Sequence, residues 1–273
     1  MKKLFALMAC LAVLTCCTDI NGLTPNDGES TEQEGTGQQP GEDNPEQTPE
    51  NPETPETPET PETPKPVWDY SHVTTSTFGH AGLSYIWDES VIPEITISVS
   101  VDEWNSLLKL FDENEKTKEY IYCDVTYKKG TETHKVEDAG LRLRGNTSRR
   151  RPEVGNETHR ENNADWQHCH FGVNLRKFKK DSKHEIKGIR KFNLKWFKDD
   201  SNYVRELFCY DLFRRAGIWT AAFDVYCRLW IHVEGDSQPA YYGVYEMIEP
   251  YDNKYLEKRE DLFGSADGNL WKC

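Results

Sequence analysis

From Pro49 to Pro64 the chain is built on a Pro-Glu-Thr repeat. Proline fixes φ and removes a backbone donor, and glutamates at every third position repel one another. Such a segment cannot close a helix or a sheet, so it is expected to be an extended, polyproline-II-like spacer. The bias extends beyond the repeat: residues 18–66 hold ten of the 14 prolines, and 13 acids against one base, Lys65, which is −12 of the chain's −14. Lys2 and Lys3 make the first 17 residues positive, leaving residues 67–273 at only −4. All eight Trp lie in that last part, and 207 residues of such aromatic density can bury a sizeable core. A wholly disordered chain, a collagen-like chain and a small disulfide scaffold are excluded.

Met1-Lys2-Lys3 is a short basic region, and Leu4–Thr15 is an apolar run too short to span a hydrocarbon core of about 30 Å. Leu14-Thr15-Cys16-Cys17 resembles a bacterial lipobox, with Cys17 as the lipidated residue and Cys16 as the alternative. An ordinary secretory signal with incidental cysteines is the competing interpretation. The expected organisation is a lipoprotein signal peptide at 1–17, a disordered acidic stalk at 18–66 and a folded domain at 67–273. The anchor makes the membrane a partner and places the protein in the bacterial cell envelope, at the outer membrane or cell surface. No nucleic-acid partner is expected.

Within the folded part, Ile92 to Val99 alternates apolar and polar residues and is predicted to be a strand. Ser100 to Glu103 is a capping box ahead of Trp104, Leu107, Leu108 and Phe111 at helical spacing. Glu119–Lys128 and Thr133–Arg144 predict a hairpin around Lys129-Gly130; Phe171–Leu175 and Lys191–Trp196 predict two further strands. A helix is expected to start at Ser201, with Val204, Leu207, Phe208, Leu212 and Phe213 on one side and a stop at Gly217. Phe223–Val233 and Tyr241–Ile248 form a second hairpin around Glu234-Gly235-Asp236. This order predicts an α+β domain on a mainly antiparallel sheet with few helices. Cys123, Cys169, Cys209, Cys227 and Cys273 show no CxxC spacing and are expected to be buried free thiols.

Three local features could carry chemistry. Gly140 to Ser148 (GLRLRGNTS), followed by Arg149-Arg150-Arg151, combines a strand with a glycine turn, hydroxyls, an amide and guanidinium groups, all suited to an anion. A plain strand-ending turn with a solvated basic loop has the same sequence appearance. Asp199 and Asp200 ahead of Arg205-Glu206 fit helix capping, or a helix whose Glu206 faces a cleft and orients a cation. Trp166-Gln-His168-Cys169-His170 places two imidazoles at i and i+2, half of a zinc site without a second half.

Taken in order, GLRLRGNTS, HFGVNL, GIRKFNLKWFKDDSNYVRELFCYDLFRRAGI, YCRLWIHVEG, YYGVYEMIE and GNLWK resemble the CotH kinase family over about Val91 to Cys273. The resemblance implies the N-terminal part of an atypical protein-kinase-like fold, and ATP with Mg²⁺ as cofactors. It also implies phosphorylation of a secreted or surface protein partner. Arg144, Asn146, Thr147 and Ser148 would form the phosphate-side loop, and Glu206 would orient a lysine. Glu246 and Glu249 would lie at or beyond the link between lobes. His168-Cys169-His170 stands where members commonly show a lysine, so Lys195 and Lys272 are the substitutes. No aspartate can be assigned as base or metal ligand, and the chain is expected to lack the C-terminal lobe that carries them. The alternative is a non-catalytic surface-binding module for a protein or glycan.

Overall fold

The computed structural model describes residues 72–271. The expected signal peptide at 1–17, the expected stalk at 18–66, and Lys272 and Cys273 lie outside the described residues, Cys16 and Cys17 with them. Seven strands follow one another as β1 Glu94–Val99, β2 Ile121–Lys129, β3 Glu132–Arg144, β4 His170–Asn174, β5 Lys191–Lys195, β6 Asp224–Val233 and β7 Ala240–Ile248. The helices are α1 Ala81–Ile86, α2 Val101–Glu113, α3 Arg205–Arg215, α4 Asn253–Glu257 and α5 Glu260–Phe263.

The strands close into a barrel in the order β1-β2-β3-β4-β5-β7-β6. Closure comes from a parallel pairing of β1 with β6, Ile97 opposite Ile231, while the other neighbours run antiparallel. The α+β class stands; the sheet is mixed, and its closure is not legible in the order of elements.

Period-2 alternation sends Ile95, Ile97, Val125, Tyr127, Leu141, Leu143, Phe171, Phe192, Leu194, Leu229, Ile231, Tyr245 and Met247 into the barrel, where all are buried. Each such side chain contributes about 1.5–3 kcal/mol by leaving water. The β2–β3 turn is made at Gly130 (φ 59°) and the β6–β7 turn at Gly235 (φ 97°), where a side chain would be strained. α2 begins as its capping residues predict, with Ser100 Oγ accepting from the Glu103 N–H at 3.2 Å. The Glu103 carboxylate turns instead to the Tyr122 N–H at 2.9 Å. Trp104, Leu107 and Leu108 pack into the core.

The long β3–β4 connection is pinned through buried polar groups. Trp104 Nε1 donates to Glu153 Oε1 at 2.7 Å, and His159 bridges Glu153 to Asp236 Oδ1, the latter at 2.8 Å. These contacts tie the connection to α2 and to the β6–β7 turn.

α3 departs from its sequence prediction twice. It starts at Arg205, not Ser201, because Asp199 and Tyr203 take positive φ (60° and 57°) and the Asp200 carboxylate caps the Val204 and Arg205 N–H groups at 2.9 and 2.7 Å. Its apolar residues also stay outside the core: Val204, Phe208, Leu212 and Phe213 are exposed, and Arg214 is the buried residue of the helix. Cys123, Cys169 and Cys227 are buried free thiols.

Candidate functional site

The barrel registers build one charged row. Arg144 pairs with His170 across β3–β4, and the Phe171–Leu194 pair sets His170 beside Lys195. Lys195 opposes Glu246 across β5–β7, and Glu246 opposes Tyr226 across β7–β6. These residues alternate with the core residues Leu143, Phe171, Leu194, Met247 and Val225, so they share the face away from the barrel interior. α3 lies over the row and brings Glu206 to Lys195 in an ion pair, while Glu246 Oε2 stands 3.8 Å from the same ammonium.

A cleft of about 230 Å³ opens here, lined by Arg144, Ser148, His170, Asn193, Lys195, Glu206, Tyr210 and Tyr251. An adjoining cavity of about 310 Å³ shares Ser148, His170, Lys195 and Glu206 and adds Thr147, Lys198, Asp200 and Glu246. Gly172 makes room for the cation: a Cβ there would lie 2.8 Å from Arg144 Cδ. Among the described residues the Arg144 guanidinium has neither a hydrogen bond nor an ion pair. Burial and the like charge of Arg142 lower its pKa. An unpaired guanidinium beside an ammonium is poised for an anion.

The three arginines after the loop serve other ends. Arg149 donates to the carbonyls of Gly145, Glu115 and Thr117, and Arg151 pairs with Asp112 at 2.9 Å. Arg150 lies over the Trp196 ring, 4.7 Å from its centroid. The charge offered to a ligand therefore comes from Arg144 and Lys195.

Burial pushes His170 down to about 4, helped by Lys195 and Arg144, so the ring is neutral at physiological pH. Its Nδ1 accepts the Trp196 N–H at 3.0 Å. Burial raises the Glu246 carboxyl; Lys195 opposes the shift, and Glu206 and Asp224 add to it. Glu246 Oε1 has no hydrogen-bond partner among the described residues. Glu249 is pulled the other way: burial raises it, but Arg259 and Lys258 prevail and hold it low. It accepts from Arg259 at 2.8 and 3.2 Å and pairs with Lys258 at 2.7 Å, so its oxygens are engaged.

Of the residues singled out in the sequence, Arg144, Ser148, Lys195 and Glu206 meet around the cleft, and Thr147 lines the adjoining cavity. Asn146 is exposed and lines neither. His168 stacks on Trp196 with ring centroids 5.6 Å apart, and among the described residues no three His, Cys, Asp or Glu side chains form a metal site. The sequence reading missed Tyr210, Tyr251 and Asn193, and took His170 only as half of a zinc site. Continuing the strand alternation across β4 and β5 would have put His170 next to Lys195. A roomier cavity of about 470 Å³ lies beside Glu103, Asp124 and Asp138. Two of its carboxylates are paired with lysines outside it, Asp124 with Lys135 at 3.5 Å and Asp138 with Lys179, and no lysine or arginine lines it.

Barrel and cleft together define a small β-barrel domain with a charged cleft, organised by a lysine–glutamate pair between a strand and a helix. Residues 141–273 match the family described as CotH kinase protein, so the CotH-like resemblance is shown for that segment, which carries Arg144, Lys195 and Glu206. No curated protein matches the chain.

Proposed function

We propose that the cleft binds the phosphate groups of a nucleotide, as part of a CotH-like, atypical protein-kinase-like domain. The observation that carries this reading is the Lys195–Glu206 ion pair beside the unpaired Arg144. In kinase chemistry a lysine contacts the phosphates and a helix glutamate orients it. Lys195 fills the first role and Glu206 the second; Arg144 and the Ser148 hydroxyl add a guanidinium and a donor. ATP's phosphates suit these side chains. What these side chains contribute is phosphate binding and charge neutralisation. We further propose that the domain sits on an envelope lipoprotein, lipidated at Cys17 and spaced by residues 18–66, and acts on a secreted or surface protein.

The test is MgATP binding to the full chain by calorimetry. Lys195→Met and Arg144→Ala should each weaken binding about tenfold or more, the worth of one charge-assisted contact. Unchanged affinity in both would overturn the reading.

A further inference from the structure

α3 has a second side. Glu206 and Tyr210 face the cleft, whereas Val204, Phe208 and Asp211 line a groove of about 360 Å³ against Val91, Ile92 and the start of β6. Val204, Phe208 and Leu212 fall at i, i+4 and i+8 and so form one stripe, about 12 Å long. They are 45%, 50% and 42% exposed, and Val91 and Ile92 beside them are 42% and 43% exposed. Large apolar side chains exposed side by side mark an interaction surface.

The floor of the groove points to the chemistry of what fits. Asp224 is only 2% exposed. Its Oδ1 accepts from Arg214 at 2.8 Å, while Oδ2 has no partner among the described residues. A buried acceptor left without a donor is unfavourable, which an incoming N–H would relieve. Glu89 and Asp211 stand in the same groove; its one lining cation, Arg214, is already shared among Asp224, Glu89 and the Ala222 carbonyl, and Asp211 pairs with Arg215 at 2.7 Å. The groove is thus apolar along its length, with carboxyl groups at its floor and edge, the floor carboxyl of Asp224 being raised to about 7 by burial.

We propose that this groove docks an amphipathic helix of a partner protein, which presents large apolar side chains along one stripe and a lysine or arginine to Asp224. In helix-in-groove recognition the anchors sit on the incoming helix, whose own apolar stripe would lie along this one. The stripe runs on past the groove to Leu212, so an elongated partner would follow it. A second copy would bring its own Asp211 and Glu89 to the same acidic edge, so symmetric self-pairing is disfavoured. Because α3 is the wall between groove and cleft, an occupant here also bears on Glu206.

The probe is a labelled amphipathic peptide with leucines at i, i+4 and i+8 and one flanking lysine, titrated into the full chain by fluorescence anisotropy beside its glutamine twin. The lysine peptide should bind about tenfold tighter, the scale of one charge-assisted hydrogen bond. Asp224→Asn should abolish that difference and Glu89→Gln should reduce it. Phe208→Ser should weaken both peptides. Glu89 and Phe208 are exposed, so their variants leave the fold intact even if Asp224→Asn does not. Equal affinities for the two peptides, or indifference to Phe208→Ser, would overturn the proposal. So would a dimer in sedimentation that Phe208→Ser dissolves.

Discussion

Glu246 holds a proton for a reason visible one atom at a time: it is buried, Glu206 and Asp224 are close, and one of its oxygens has no partner. From its ordinary value of 4.5 up to its raised one, the folded chain keeps a proton that the unfolded chain releases, so this group lowers stability as pH rises. Glu246→Gln removes the titration. Its stability relative to the parent should therefore improve steadily from about pH 5 to about pH 8, as read from urea unfolding. His159 acts in the same direction, because it too holds its proton more tightly in the folded chain than in the unfolded one. Burial lowers its pKa, but hydrogen bonds to Asp236 and Glu153 prevail and the net shift is upward from 6.5. Its contribution is full below pH 6.5 and fades as pH rises through the folded value. His159→Asn should cost about 1–3 kcal/mol at acid pH and less in alkali, checked by unfolding at both ends. Neither carboxylate partner adjoins His159 in sequence, so this role could not be read from the chain alone.

Among the elements, β3 and β4 matched their sequence patterns to within a residue, because alternation of apolar and polar side chains is itself what buries one face. The glycine inside β4, Gly172, has a meaning that alternation does not carry. Gly172→Ala should displace Arg144 through the 2.8 Å contact and weaken nucleotide binding about as much as Arg144→Ala, with little change in melting temperature. Calorimetry beside a thermal melt would separate the two effects. α2 was legible down to its cap, and Ser100→Ala should cost about 1 kcal/mol in chemical denaturation. α3 was legible as a helix but not in its start or its burial. Two positive-φ residues and a carboxylate cap delay the start, and an amphipathic pattern says that a face is apolar without saying what covers it.

Across the whole molecule, the parallel β1–β6 contact joins residues far apart in the chain and turns a sheet into a barrel. Ile97 lies fully buried at that seam, opposite Val125 and Ile231. Ile97→Ala should cost about 2–5 kcal/mol by denaturant unfolding. The sequence by itself determined where the aromatic-rich part begins, which segments are strands and which side of each is apolar, and the order of motifs behind the CotH-like match. All of these rest on local composition and on periods of two or 3.6 residues. Only the tertiary structure decided that the sheet closes, that Arg144, His170, Lys195 and Glu246 form one row, that Arg149 and Arg151 are spent on backbone and Asp112, and that α3 keeps an uncovered face. Those outcomes depend on register and on competition between distant partners for the same charge, and a local pattern holds no term for either.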